Sequence, residues 1–192
     1  MDENVGPCFF GGKVRVPMPR LLRRIAVITA SILLAAATVA VPASASSGLA
    51  APRIVYIKQK NSPTRHLGVL GFAESRDPVN QLLGSEQLWE MNVVSTHQGA
   101  WVVTFKLYGS NLCLDKSLDT STSNIVYLYT CLGTANQRWL LQRTGSVTGA
   151  NLHYIRTYYQ GTPGNCLRTY TTGNSIVWNC ADELDEYAIY VI

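Results

Sequence analysis

The feature that most restricts the fold is a leucine that recurs three times in the same setting. Leu67, Leu114 and Leu167 lie 47 and then 53 residues apart. Each follows a β-type run and a polar turn. Ile54-Val55-Tyr56-Ile57-Lys58 leads through Asn61-Ser62 to His66-Leu67-Gly68-Val69. Val102-Val103-Thr104-Phe105-Lys106 leads through Gly109-Ser110-Asn111 to Leu112-Cys113-Leu114-Asp115. Leu152-His153-Tyr154-Ile155-Arg156 leads through Gly161-Thr162-Pro163-Gly164-Asn165 to Cys166-Leu167-Arg168. The ends repeat too: Glu86-Gln87-Leu88-Trp89, Asn136-Gln137-Arg138-Trp139 and, less clearly, Asp185-Glu186-Tyr187. Self-similarity at about 50 residues marks units that cannot bury an apolar face alone. No long 3.6-period stripe appears. The β-branched and aromatic runs, Ile125 to Tyr129 and Ile176 to Trp178 among them, have strand length. The fold expected is all-β, with three units of about four short strands closing a barrel that buries Trp89 and Trp139.

The repeats do not occupy the whole of the 192 residues. Arg20, Arg23 and Arg24 precede an uncharged apolar run from Ile25 to Val41, followed by Pro42-Ala43-Ser44-Ala45. That order reads as a secretory signal peptide cut after Ala45. The run is slightly short of the roughly 20 residues of a comfortable membrane span, so no stable membrane insertion is expected after cleavage. Met18 is an alternative start, and Cys8 then falls in a dispensable extension. The expected organisation is residues 1–45 as signal peptide with an N-terminal extension, 46–53 as a flexible lead-in, and 54–192 as one domain, with units at about 54–96, 97–144 and 145–192.

Charge and cysteines follow the same cut. Of 16 Lys+Arg and 12 Asp+Glu, five basic and two acidic residues precede Ser46, which leaves 11 against 10, a net +1. A nucleic-acid partner needs a basic face and is not expected. Four cysteines remain, and an even number in a secreted chain implies disulfides. Of the three pairings, Cys113–Cys131 with Cys166–Cys180 closes two short loops, each stabilising by about 3 kcal/mol on the chain-entropy account. Zinc fits poorly, because there is no C-x-x-C and His66, His97 and His153 lie far from the cysteines in sequence. The acidic run Asp182-Glu183-Leu184-Asp185-Glu186 lacks the spacing of a calcium loop. No metal or cofactor is expected. No catalytic motif is present, and the chain is not read as an enzyme.

Cys113-Leu114-Asp115, the tyrosine-flanked strand into Cys131, and Asn136-Gln137-x-Trp139 together resemble the ricin B-chain-like (Q-x-W) lectins, a β-trefoil family. The resemblance covers residues 54–192, strongly in the second unit and weakly in the first. It implies a secreted, bacterial-type single-domain lectin of twelve strands, with up to three shallow sugar sites. The family's site uses an Asp after the first Cys, an aromatic two before the second Cys, and an Asn before Gln-x-Trp. Here those are Asp115, Tyr129 and Asn136, with Tyr127 where a polar side chain lines the pocket. Gln87, Trp89, Gln137 and Trp139 are implied to be structural. In the third unit Arg168 replaces the acid, while Trp178 and Asp185, the latter near the Asn position, leave a weak second site. The first unit keeps no site.

Sugar chemistry suits these residue types. A carboxylate accepts hydroxyl hydrogens through charge-assisted bonds, an amide donates and accepts, and a ring covers the C–H face at roughly 25 cal/mol per Å². A shallow site of this kind binds at about the millimolar level. Glycans or polysaccharides, galactose-type hexoses first, are the expected partners. The other reading is a protein-binding trefoil, such as a secreted protease inhibitor using a protruding Arg156–Asn165 loop, or a toxin-partner subunit, because the fold hosts both.

Overall fold

The computed structural model describes residues 50–84, 86–119, 121, 124–170, 174–181 and 183–192. The expected signal segment at 1–45 and the lead-in up to residue 49 lie outside the described residues. The described chain is all-β, as its patterning predicts. The strands are β1 (Arg53–Gln59), β2 (Arg65–Gly68), β3 (Asn80–Leu83), β4 (Trp89–His97), β5 (Ala100–Leu107), β6 (Leu112–Lys116), β7 (Val126–Thr130), β8 (Trp139–Val147), β9 (Ala150–Tyr159), β10 (Thr162–Arg168), β11 (Ile176–Trp178) and β12 (Glu186–Val191). Two single-turn 3-10 helices, Ala135–Gln137 and Glu183–Asp185, precede β8 and β12.

Six of the strands form a ring. β1 pairs with β4, β4 with β5, β5 with β8, β8 with β9, and β9 with β12, all antiparallel. β12 then pairs with β1, which returns the ring to its start. Closure leaves these strands without free edges. The other six strands make the hairpins β2–β3, β6–β7 and β10–β11. The hairpins are tied together by a triangle of backbone bonds: Val79 N to Val126 O, Val126 N to Ser175 O (2.9 Å) and Ser175 N to Val79 O (3.3 Å).

Strand alternation places the core. Val55 and Ile57, Val103 and Phe105, Trp139 and Leu141, and Ile155 point inward from the ring, and Leu67, Leu114 and Leu167 from the hairpins. The indoles of Trp89 and Trp139 are fully buried. Taking the strands in sets of four along the chain, β1–β4, β5–β8 and β9–β12, each indole N–H donates to the backbone of its set's leucine, Trp89 to Leu67 O at 3.1 Å and Trp139 to Leu114 O at 3.0 Å. In the third set Tyr187 stands in this place, with its hydroxyl 3.0 Å from Thr169 Oγ1. A bulge recurs at the same offset from each tryptophan, between Val93 and Ser95 and between Arg143 and Gly145.

Both expected disulfides form, Cys113–Cys131 and Cys166–Cys180. The expected Arg156–Asn165 loop does not. β9 runs to Tyr159 and β10 starts at Thr162, so only Gln160-Gly161 turns the chain. Both have positive φ, 50° and 82°, as a two-residue turn matched to strand twist requires. Pro163 is accommodated by a register shift between Pro163 and Cys166 rather than by a loop. Arg156 Nε donates to Gly164 O across the hairpin at 2.9 Å. No helix among the described residues is long and apolar enough to cross a membrane.

Candidate functional site

The β6–β7 hairpin has two unlike faces. Leu114 sits opposite Leu128, and both are buried in the core. On the other face Asp115 sits opposite Tyr127, and Cys113 opposite Tyr129. The tyrosines therefore face away from the core, half-buried. Their rings meet edge to face, with centroids 6.2 Å apart at 70°. The Tyr127 hydroxyl bonds to Ser117, and burial, followed by the nearby Asp115 carboxylate, raises its pKa.

The 3-10 turn Ala135–Gln137 delivers two amides to Asp115. Asn136 Nδ2 donates to Oδ1 at 2.7 Å, and Gln137 Nε2 donates to Oδ2 at 2.9 Å. Gln137 is fully buried and saturated. Its Nε2 also reaches Thr130 O at 2.8 Å, and its Oε1 accepts from Leu132 N at 2.9 Å and Gly133 N at 3.1 Å. The glutamine thus fastens the turn after Cys131 to β6, and the tryptophan two residues on fastens β8 to the same strand.

Asp115 itself is 1% exposed. The sequence pattern places it as an acceptor for sugar hydroxyls; in the structure both of its carboxylate oxygens already accept from side-chain amides. Burial raises its pKa, and the amides of Gln137 and Asn136 oppose the rise without overcoming it. What reaches the surface is Asn136, half-buried, with its Nδ2 held inward and its carbonyl oxygen left to accept.

Beside Tyr127 lies a cavity of about 340 Å³, lined by Arg76, Ser117, Asp119 and Asn174 with Pro78 and Ile125. The sequence reading missed these polar groups. They come from three separate connections that only the hairpin triangle brings together. Arg76 is in the left-handed region (φ 76°), and its N–H donates to Leu128 O at 2.7 Å, which docks the first set's loop on β7. Asp119 Oδ1 accepts from the backbone N–H and hydroxyl of Ser121, and these bonds lower its pKa.

The other two sets fill the Asp115 place differently. Arg168 occupies it in the third and faces Asp185, with Nε to Oδ1 at 2.8 Å and one terminal nitrogen to Oδ2 at 2.9 Å. Asp185 is fully buried and lies two residues before Tyr187, so it holds the position of Gln137 rather than that of Asn136. It also accepts from Ala181 N at 3.3 Å. Trp178, opposite Cys166, is 49% exposed, but Asp185 faces inward to Arg168, so the two do not form one open surface. Gly68 occupies the place in the first set. Gln87 Oε1 fills the space, accepting from Val69 N at 2.6 Å, and a Cβ on Gly68 would collide with it.

Among the described residues no group of three His, Cys, Asp or Glu side chains is placed to hold a metal ion. No protein-family model matches the chain, and no curated protein matches it. Among solved structures the chain is similar to a mosquitocidal holotoxin, with TM-score 0.56 and 16% identity over 73% of this chain. The chain spans 17% of that toxin's length. It is also similar to a Gallus interleukin-1 beta mutant, with TM-score 0.53 and 12% identity, covering 73% of this chain and 97% of the other. At these identities the likeness concerns the fold.

Proposed function

We propose that this protein is a secreted β-trefoil that binds carbohydrate, a galactose-type hexose first, at the outer face of its second four-strand set. The trefoil reading is supported by the six-strand ring, the three tied hairpins and the Trp-to-Leu bond made in two sets. Secretion is supported by the two disulfides, which persist in oxidising compartments, and by the signal-like order at residues 20–45. The observation that carries the sugar reading is the Asp115–Asn136–Gln137 network set against the outward Tyr127 and Tyr129 rings.

In this reading a pyranose lays its C–H face on Tyr129 and its hydroxyls bond to Asn136 and the polar rim near Tyr127. Asp115 is a positioning residue. It fixes which atom of Asn136 faces outward, and so sets the amide's acceptor toward a sugar hydroxyl. Such an open site binds with a Kd of about 1 mM, near −4 kcal/mol. The test is binding of the folded protein to a panel of immobilised hexoses, repeated with Asn136→Ala and Tyr129→Ala.

A further inference from the structure

The barrel has a second recess at its other end. Trp101 continues the inward row of Val103 and Phe105 on β5. Arg143 continues that of Trp139 and Leu141 on β8, and Asn151 and His153 that of Ile155 on β9. Register aligns them, with Trp101 opposite Leu141 and Arg143 opposite His153. With Gly99 and Ala100 they enclose a cavity of about 450 Å³, a size suited to a small ligand. β5 runs from this end to Leu107 and on to the hairpin that carries Asp115, so six residues at about 3.3 Å each put the two sites about 20 Å apart along the strand.

The chemistry of the recess is uneven. Arg143 is exposed and has no carboxylate partner among the described residues; its one bond is from Nε to Gly145 O at 3.5 Å. Arg53 lies over the Trp101 ring at 4.8 Å and likewise has no carboxylate partner among the described residues. By contrast Lys58, Lys60, Lys106 and Arg168 each pair with an acid. Among the described residues no Asp or Glu lines the cavity. Trp101 is 37% exposed and lines the cavity, whereas Arg53 is outside the lining. Among the described residues His153 Nδ1 is buried without a hydrogen-bond partner, although buried polar atoms are nearly always paired. Burial, then the Arg143 guanidinium, lowers the His153 pKa.

A neutral sugar would leave the Arg143 guanidinium uncompensated, and a bare inorganic anion would leave the indole unused. A ring that carries a carboxylate answers both. We propose that this end of the barrel binds an acidic sugar, a pyranose bearing a carboxylate. Its C–H face lies on Trp101, its carboxylate pairs with the Arg143 guanidinium, and its hydroxyls meet Asn151 and His153. The site is independent of the one at Tyr129 and stands whether or not that one binds sugar.

The test uses the fluorescence of Trp101. Trp89 and Trp139 are fully buried, so in a Trp178→Phe background Trp101 is the one indole open to a ligand. Glucuronate, glucose and acetate are titrated in turn. Glucuronate is expected to give a saturable change, with glucose and acetate at least about tenfold weaker, a difference of about 1.4 kcal/mol. Arg143→Gln, at an exposed position, is expected to weaken glucuronate about tenfold with an unchanged circular dichroism spectrum, and Tyr129→Ala to leave it unchanged. No saturable response to glucuronate, equal binding of glucose or of acetate, or binding indifferent to Arg143→Gln would each overturn the assignment.

Discussion

Trp139→Phe tests the way the ring and hairpins are joined. The indole is fully buried, and its N–H is 3.0 Å from Leu114 O, a carbonyl at the centre of the core. Phenylalanine keeps an aromatic ring but has no donor. Leaving a buried carbonyl short of a partner costs about 1–3 kcal/mol. Replacing a buried Trp by Ala costs about 3–5 kcal/mol, and Phe forgoes less than half of that volume, so the smaller ring adds about 1–2 kcal/mol. The sum centres on about 3.5 kcal/mol, a fall in Tm of about 10 °C for a domain of this size. Trp89→Phe removes the same bond, to Leu67 O at 3.1 Å, and should cost the same within about 1 kcal/mol. Trp178→Phe at the surface should stay within about 0.5 kcal/mol of wild type. Guanidinium unfolding followed by far-UV circular dichroism reads all three, with the slope m unchanged. A Trp139→Phe protein as stable as wild type, or a wide gap between the two core variants, would refute the equivalence of the sets.

The pH dependence of stability has two opposed contributions. Asp115 has a folded pKa raised above its ordinary 3.8, so between the two values the folded state holds more protons, and stability falls as pH rises through that window. Asp115→Asn should therefore flatten the loss above about pH 4 in equilibrium unfolding; an unchanged slope contradicts the burial argument. Glu186 runs the other way. The Lys60 ammonium lowers its pKa, so its contribution is present above the ordinary carboxylate value and lost as pH falls, and Glu186→Gln should remove that acid-side loss. In the third set, Arg168→Met leaves the buried Asp185 carboxylate without its main partner and should cost about 3–5 kcal/mol, while adding Asp185→Leu should recover most of it. Additive costs in that double-mutant cycle would sink the buried-pair reading.

The ring and its core were legible because leucine and tryptophan keep a common phase, and burial of a repeated apolar residue is what such a phase encodes. Local composition misled at Gly161, Pro163 and Gly164, where glycine and proline resemble a loop. There Gly161 serves a two-residue turn, and a bulge carries the proline along β10. At the site, the residue types were readable but not their depth. Asp115 and Tyr127 sit side by side on one hairpin, yet the aspartate is sealed by amides 21 and 22 residues away, while Tyr127 stays half-open. Arg168 and Asp185, read one at a time, looked like a lost acid and a leftover ligand. Across 17 residues they are one ion pair. Arg76 and Asn174 reach the Tyr127 cavity only through pairing between hairpins, and Trp101, Arg143 and His153 meet only through register in the ring. No local spacing reports either.

The outer face of β6–β7 is proposed to hold a sugar through Asn136 and Tyr129, with Asp115 behind them. Retention of wild type, Asn136→Ala and Tyr129→Ala on immobilised hexoses tests it most directly, with unfolding curves run on the same preparations. Wild type is expected to bind at least one hexose with a Kd of about 1 mM, weakened about tenfold or more in each variant while stability holds. Wild type that binds no hexose, or variants that bind as wild type does, would contradict it.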